Sequence, residues 1–321
     1  MLTVGVDVGG TSAKAGLVDS GGTLVATRVA PTPRTAHELD DTVAGLVDHL
    51  AGHARADGTD VAAVGLAVAG FVDPERRSVS FGAHLPWRDE PVVARMSERL
   101  GLPVTLEHDA NAAGLAEHRV GAAAGAHVAV LVALGTGIGA ALLVDGTVFR
   151  GAHGVAPELG HLVVVPDGRP CPCGKRGCLE RYCSGTALGT GADELVTASE
   201  DFSTLRASWE RGLPLTGREV ADAAAAGDGL ARRVIADFAS WLGRGLALVA
   251  DVFDPDVVVV GGEVSASAAL FLEDAVRTYG EQVTGAGHRR LAEVRPAVLG
   301  GDAGMIGAAL DARERCAAER A

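Results

Sequence analysis

The sequence is poor in lysine, in aromatic side chains and in long apolar runs. Only two lysines, Lys14 and Lys175, occur in 321 residues, and 41 acidic side chains exceed 28 basic ones, giving a formal net charge of −13. Nucleic-acid binding requires clustered positive charge, so this balance argues against DNA or RNA as a partner. Apolar runs such as Val128–Leu134 are far shorter than the roughly 18 residues of a membrane helix. With no basic and apolar leader, the chain is expected to be cytoplasmic and to bind no membrane.

Two common nucleotide-binding signatures are also missing. No Gly-Lys-Ser/Thr occurs, which excludes a P-loop, and the glycines at 135–139 lack the G-x-G-x-x-G spacing of dinucleotide-binding folds. What is present is a short glycine-rich turn between two apolar strands, and it occurs twice. Residues 6–19 and 132–145 align at one constant offset of 126. Either copy alone could be an ordinary hairpin, but the fixed offset favours two related halves.

Phosphate binding is the chemistry that these turns suggest. Glycine lets backbone N–H groups approach an anion where a Cβ would obstruct them, and threonine adds a hydroxyl donor. Asp7 closes the first strand, where its carboxylate suits Mg²⁺ bound through water. A third turn, Gly261-Gly262, follows an apolar strand and suits an adenosine, with a plain strand-to-helix turn as the alternative. The predicted nucleotide-binding residues are Asp7, Gly9, Gly10, Thr11, Gly135, Thr136, Gly137, Gly261 and Gly262.

The cysteines indicate a metal site. The five are Cys171, Cys173, Cys178, Cys183 and Cys316, and the first four crowd into thirteen residues. His161, Cys171, Cys173 and Cys178 form a Cys₃His set of the kind that holds structural Zn²⁺ in a closed tetrahedral site. Free thiols beside an unrelated histidine are the alternative. Cys183 and Cys316 fall outside the spacing and are expected to be packed thiols.

Carboxylates near this cluster suggest a sugar pocket. Glu158 precedes His161 by three residues and Glu180 follows Cys178 by two, so a zinc site would gather them around one pocket. Carboxylates and an imidazole bind hydroxyls in directed pairs, which suits a polyol. Solvated loop residues are the alternative.

Asp109 has two possible roles. It follows an apolar strand and precedes an Ala-rich helix that we predict over Asn111–Val120. Its carboxylate is either a general base, which accepts a proton from an attacking hydroxyl, or an N-cap of this helix. The residue alone does not decide between them.

Apolar strands alternate with Ala- and Leu-rich helical patterns along the chain, which predicts an α/β fold. Among the predicted helices is one over Ala266–Tyr279. Residues 190–215 are the least patterned segment.

Taken together, these motifs resemble the ROK family of sugar kinases, and most closely its bacterial glucokinases. The matching segments occur in family order and cover nearly the whole chain. The cysteine motif with its preceding Glu-Leu-Gly-His is the most specific of them. They are residues 7–11, 69–73, 85–87, 107–113, 134–139, 157–161, 171–174, 177–180 and 260–262.

The resemblance implies an actin-like fold, in which two α/β domains of ribonuclease H type enclose a central ligand cleft. We expect a smaller domain at residues 1–119, completed by a helix at about residues 303–321, and a larger domain at residues 120–302 that carries the zinc site.

The resemblance also assigns roles to the sugar-site residues. It implies that Asp109 is the catalytic base and that Gly70 lines the sugar pocket with its backbone. Sugar hydroxyls would be bound by Glu158, His161 and Glu180, and His161 would bind zinc with its other nitrogen.

Several positions depart from the family pattern. His108 and His84 stand where the family has asparagine, and Glu263 stands where a third glycine is common. We expect His108 to donate to a sugar hydroxyl in place of that asparagine. Ser12 occupies a common lysine position, and Lys14 lies two residues beyond it.

The function implied by the resemblance is transfer of the γ-phosphate of ATP to the 6-hydroxyl of glucose, with Mg²⁺ and a structural Zn²⁺. We also expect a homodimer or homotetramer. One alternative is a kinase for another hexose or for an N-acyl hexosamine, such as N-acetylglucosamine or N-acetylmannosamine. Another is a non-catalytic, sugar-sensing ROK regulator. Such regulators carry a helix-turn-helix before the first glycine loop, which starts here at residue 7, and the net charge of −13 also argues against DNA.

Overall fold

The computed structural model describes residues 1–318, and these form two compact units. The first unit contains Met1–Ala126, Ala141–Pro157 and the described residues from Gly301 onward. The second contains His127–Ala140 and Glu158–Gly300. Residues 319–321, the end of the C-terminal segment predicted at 303–321, lie outside the described residues.

Helices and strands alternate along the chain, as predicted for an α/β fold. The strands are β1 (Leu2–Val8), β2 (Ser12–Val18), β3 (Leu24–Pro31), β4 (Val61–Val68), β5 (Phe71–Val72), β6 (Val79–Phe81), β7 (Arg88–Glu90), β8 (Val104–His108), β9 (Val128–Leu134), β10 (Ile138–Val144), β11 (Thr147–Phe149), β12 (Val257–Gly261) and β13 (Glu293–Pro296). The helices are α1 (Ala36–Ala56), α2 (Val92–Leu100), α3 (Asp109–Val120), α4 (Gly185–Ala198), α5 (Arg206–Glu210), α6 (Gly217–Ala225), α7 (Gly229–Phe253), α8 (Leu272–Gln282) and α9 (Ala303–Ala318). Short 3₁₀ segments lie at Leu159–His161, Leu179–Arg181, Glu263–Leu270 and Gly300–Asp302.

The first unit is built on a five-stranded sheet of order β3-β2-β1-β4-β8. Strands β1, β2 and β3 pair antiparallel, whereas β4 and β8 add in parallel. Helix α9 lies directly on this sheet: a Cβ on Gly5 would come 1.8 Å from the carbonyl oxygen of Met305, and one on Gly65 would come 1.9 Å from that of Ala308. Only glycine permits this close approach of helix and strand backbones.

The second large sheet repeats this order as β11-β10-β9-β12-β13. Strand β9 (Val128–Leu134) begins 126 residues after β1 (Leu2–Val8), and β10 (Ile138–Val144) begins 126 residues after β2 (Ser12–Val18). Strands β9, β12 and β13 pair in parallel, as β1, β4 and β8 do. The sequence repeat is therefore a structural repeat, with corresponding strands in corresponding places.

A third, smaller sheet of β5, β6 and β7 lies in the first unit, after the turn at Gly70.

Across residues 1–318, every helix is too short or too polar to cross a membrane. In the two large sheets the glycine turns after β1, β9 and β12, and Asp109 after β8, follow the carboxyl ends of strands, where α/β folds place their ligands.

Candidate active site

Asp109 lies at the junction between β8 and α3 in the first unit. It is the first residue of α3, and the N-cap position belongs to His108, whose side chain makes no capping bond. Helix α3 thus begins two residues earlier than the predicted Asn111, and Asp109 is not its N-cap. Its carboxylate accepts the N–H of Ala110 at 2.7 Å, and its side chain is 39% exposed, so solvent or a ligand can reach it.

His108 lies beside this carboxylate. Its Nε2 is 3.2 Å from Oδ1 of Asp109. An imidazole at this distance can donate to the carboxylate or to a neighbouring hydroxyl. The asparagine expected from the family pattern is therefore replaced by a longer ring in direct contact with Asp109.

Asp7 interacts electrostatically with Asp109. Burial and, to a smaller extent, the charge of Asp109 raise the pKa of Asp7 to about 7, while the charge of Lys14 acts in the opposite direction. Lys14 is paired with Asp7 across β1 and β2, so both side chains leave the same face of the sheet. Two interacting carboxylates of this kind form a suitable environment for a divalent cation, whose charge would offset their repulsion.

Hydrogen bonds with Ser12 on one side and Thr32 on the other hold the first glycine turn, Gly9-Gly10-Thr11, in place. The N–H of Gly9 donates to the carbonyl of Ser12 at 3.1 Å, and Thr32 donates its hydroxyl to the carbonyl of Gly9 at 2.6 Å and its N–H to that of Thr11 at 3.0 Å. These bonds leave the turn little freedom to move, which suits a preformed anion site.

Gly70 follows β4 in the same unit. Val68, the last residue of β4, pairs with His108 of β8, so the structure brings Gly70 to the strand end that carries Asp109. A Cβ on Gly70 would lie 2.6 Å from the carbonyl of Phe81. The backbone at Gly70 therefore packs against the small sheet.

The second unit gathers the predicted metal ligands. One donor atom from each of His161, Cys171, Cys173 and Cys178 lies within 4.8 Å of the others. The sulfurs of Cys173 and Cys178 are 3.6 Å apart, and Nδ1 of His161 is 3.7 Å from the sulfur of Cys171. Tetrahedral ligands at zinc bond lengths are about 3.5–3.8 Å apart. The cluster thus fits a structural zinc ion.

Glu158 and Glu180 lie on either side of His161. Nε2 of His161 is 3.9 Å from the carboxylate of Glu158, and Nδ1 is 3.6 Å from that of Glu180. His161 and Glu180 lie in the 3₁₀ segments Leu159–His161 and Leu179–Arg181. Glu158 directly precedes the first segment, and the metal ligand Cys178 directly precedes the second. The structure therefore brings together the three predicted sugar-contacting groups of this unit.

The glycine turn after β9 contacts this group. A Cβ on Gly137 would lie 2.6 Å from a carboxylate oxygen of Glu180. The carbonyl of Gly135 accepts the N–H of Gly185 at 2.7 Å, and that of Thr136 accepts the hydroxyl of Thr186 at 2.7 Å. The start of α4 therefore supports this turn.

The Gly261-Gly262 turn lies next to the turn at 135–137. Gly261 ends β12 and pairs with Ala133 of β9. Gly262 has a φ of +81°, and a Cβ there would lie 2.4 Å from the carbonyl oxygen of Leu134. The predicted nucleotide-binding residues of this unit thus lie together at the carboxyl ends of β9 and β12.

The remaining cysteines are packed side chains. Cys183 and Cys316 are both buried and form no disulfide. Complete burial raises the pKa of the Cys183 thiol, which makes it unreactive.

Sequence reasoning missed Arg76 and Arg150, which pair with Glu107 directly before His108 and Asp109. The only indication of this ion-pair cluster in the sequence was Glu107, a residue of the 107–113 motif to which no role was assigned.

The family that this architecture defines is also found by sequence comparison. The ROK family profile matches residues 3–315, and the chain belongs to this family. It is 38% identical over 315 residues to a glucokinase of Streptomyces coelicolor, covering 98% of both chains. The structure of a ROK family glucokinase from Streptomyces griseus in complex with glucose and AMPPNP superposes with a TM-score of 0.85 at 39% identity, covering 98% of this chain and all of that one. A ROK hexokinase from Thermus thermophilus superposes with a TM-score of 0.78 at 35% identity, covering 99% and 100%. The actin-like fold expected from the resemblance is thereby confirmed.

Proposed function

We propose that this protein is an ATP-dependent glucokinase that forms glucose 6-phosphate. The observation that carries the proposal is the accessible Asp109 carboxylate at the start of α3. It is supported by likeness to glucokinases over nearly the full chain and to a glucokinase structure that holds glucose and an ATP analogue.

In the proposed reaction Asp109 acts as the general base. Its carboxylate accepts the proton of the glucose 6-hydroxyl while that oxygen forms a bond to the γ-phosphorus and the bond from phosphorus to the β-phosphate oxygen breaks, leaving ADP. Mg²⁺, when bound, would neutralise charge on the phosphate oxygens, and Asp7 is the residue that we assign to hold it. The glycine turns at 9–11, 135–137 and 261–262 would bind the nucleotide through backbone N–H groups.

Sugar recognition is assigned to Glu158, His161 and Glu180, with His108 and the backbone of Gly70. The carboxylates can accept two hydroxyls each, which suits a ring with a free hydroxyl on every carbon. The zinc cluster would keep the two 3₁₀ segments at a fixed separation, because His161 lies in the first and Cys178 directly precedes the second.

We further propose a cytoplasmic enzyme that assembles as a homodimer or homotetramer. The proposed requirement for ATP supports the cytoplasmic location. Strand β3, an edge of the first sheet, exposes Val25 and Val29 and offers apolar area for association. Sedimentation velocity tests the assembly, and a monomer at micromolar concentration would contradict it.

Sugar preference tests the proposal most directly. We expect the wild type to favour glucose over N-acetylglucosamine and N-acetylmannosamine by at least about 10²-fold in kcat/KM, because an N-acetyl group cannot replace the lost directed hydrogen bonds. A coupled assay across a panel of sugars, with ATP and with polyphosphate, measures this. His108→Asn should keep or improve glucose activity. Comparable turnover of an N-acyl sugar would overturn the substrate, and no phosphorylation of any sugar would overturn the proposal.

The role of Asp7 gives a separate prediction. Asp7→Asn should raise the Mg²⁺ concentration needed for half-maximal activity, and excess Mg²⁺ should restore part of the lost rate, because a neutral amide holds the hydrated ion less well. Titration of activity with Mg²⁺ measures this. The exposed Asp48→Asn on α1 is the matched control and should leave the titration unchanged. A defect that does not depend on Mg²⁺ would count against a metal role for Asp7.

A further inference from the structure

A buried cluster of charged side chains lies immediately before Asp109 in the first unit. It consists of Arg76, Glu107 and Asp311, all buried, with the partly exposed Arg150 at its edge. Burying charges is unfavourable unless each one is paired and hydrogen-bonded. A cluster of this kind at the end of the strand that leads to Asp109 therefore calls for a functional explanation.

The two carboxylate oxygens of Glu107 have different partners. Oε1 accepts the backbone N–H of His108 at 3.0 Å and the side-chain amide of Asn111 at 3.0 Å. These two residues stand on either side of Asp109 in the chain. Oε1 thus restrains the backbone before Asp109 and the first turn of α3 after it.

The other oxygen, Oε2, is held by two arginines. Arg150 donates from Nε at 2.9 Å and also from a terminal nitrogen, and a terminal nitrogen of Arg76 lies 3.2 Å away. Burial raises the pKa of Glu107, but the charges of Arg76 and Arg150 and the bonds from Arg150 and Asn111 outweigh it and lower the pKa. Glu107 is therefore an ionised carboxylate, which can only accept hydrogen bonds.

Arg76 connects this carboxylate to two other parts of the unit. It stands in the turn between β5 and β6 with a φ of +59°, a conformation that is uncommon for a residue with a side chain. Its Nε donates to the carbonyl of Leu106 at 3.0 Å, and a terminal nitrogen pairs with Asp311 of α9. The turn, β8 and α9 are thereby tied together at one point.

We propose that Glu107 is a positioning residue, which fixes the Asp109 carboxylate for proton transfer through His108 and Asn111 and is itself held by Arg76 and Arg150. The inference rests on the proposed function, in which Asp109 is the base. A displacement of about 1 Å at a reacting group can lower a rate by roughly 10²-fold. The gain in rate from a fixed junction can therefore outweigh the unfavourable free energy of burying these charges.

Glu107→Gln tests this proposal. The amide oxygen of glutamine can still accept one or both bonds, but its NH₂ would face two guanidinium groups, so the side chain must turn or move. We expect kcat to fall by roughly 10–10²-fold while KM for glucose changes by less than about threefold.

A matched control separates positioning from general loss of stability. Asp40 is also buried, and it accepts from the indole N–H of Trp87 at 3.0 Å and from Arg95 at 3.1 Å. Asp40→Asn thus breaks a comparable buried carboxylate–arginine pair in the same unit. It should lower Tm about as far as Glu107→Gln does and leave kcat unchanged.

A second variant tests the positioning role of Glu107 if Glu107→Gln does not fold. Arg150→Ala leaves Arg76 paired with Glu107, and the partial exposure of Arg150 lets a small cation enter the vacated space. We expect kcat to fall by about tenfold, and millimolar methylguanidinium to recover most of it, with no such effect on the wild type or on Asp40→Asn.

The outcomes are distinct. A Glu107→Gln enzyme with the kcat of Asp40→Asn, or an Arg150→Ala defect that methylguanidinium leaves unchanged, would overturn the positioning role. A wild type that phosphorylates no sugar in the same assay would instead overturn the proposed function.

Discussion

Asp109→Asn is expected to lower kcat by roughly 10²–10⁴-fold while glucose affinity stays within a few-fold of the wild type. The amide keeps the size of the side chain and can still bond the N–H of Ala110, but it cannot take up the proton of the attacking hydroxyl. Because the substitution removes a base and leaves a hydrogen-bonding group, the loss should fall on turnover. Steady-state kinetics and calorimetric titration of glucose measure the two effects separately.

The same substitution removes a negative charge from the first turn of α3, which costs about 0.3–1 kcal/mol of helix stability. Asp274→Asn is the matched control, since Asp274 lies in the first turn of α8 and has no assigned role in the reaction. It should change Tm by a similar amount and leave kcat at the wild-type value. An Asp109→Asn enzyme that turned over at a rate near that of this control would show that Asp109 is not the base.

Cys173→Ser is expected to abolish zinc binding and, with it, to weaken glucose binding by roughly tenfold or more. Metal analysis should find about one zinc ion per chain in the wild type, independent of Mg²⁺. Cys173 is the exposed member of the cluster, so its replacement disturbs little packing beyond the loss of a ligand. Without the metal, the 3₁₀ segments that carry His161 and Glu180 lose the ion that would connect them through His161 and Cys178.

Cys316→Ala provides the comparison for this experiment. It removes a thiol of α9 that lies outside the cluster and should keep the full zinc content. If Cys173→Ser lost its zinc and kept normal glucose affinity, the proposed link between the metal cluster and the sugar pocket would be wrong.

Strands β1 and β2 and their copies β9 and β10 could be predicted because each is mostly apolar and lies directly beside a glycine turn. Strands β5 and β13 have no such pattern. Strand β5 has two residues, and β13 ends in proline, so their pairing depends on contacts made by the folded chain. The predicted helix at 266–279 was partly wrong, since a 3₁₀ segment reaches Leu270 and α8 follows it.

The metal cluster was predictable because its four ligands lie within eighteen residues and the chemistry of thiolates and imidazole is specific. The contacts that hold Glu107 in place were not predictable. Its partners Arg76 and Arg150 are 31 and 43 residues away, and nothing local marks either one as a buried pair. Helix α4 was also missed, because its glycines and threonines favour helix weakly, and the Ser184 cap that begins it became apparent only in the structure.

The close seating of α9 on the sheet through Gly5 and Gly65 has a consequence for biosynthesis. One face of the sheet is built from strands β1 and β4, yet it is covered by α9, which is translated long after them. Until the ribosome has released α9, the nascent chain exposes the sheet face that α9 covers, which includes Gly5, Ala63, Gly65 and Ala67. A premature stop codon shortly before residue 303 would therefore leave this face uncovered and is expected to yield an aggregating product that depends on chaperones.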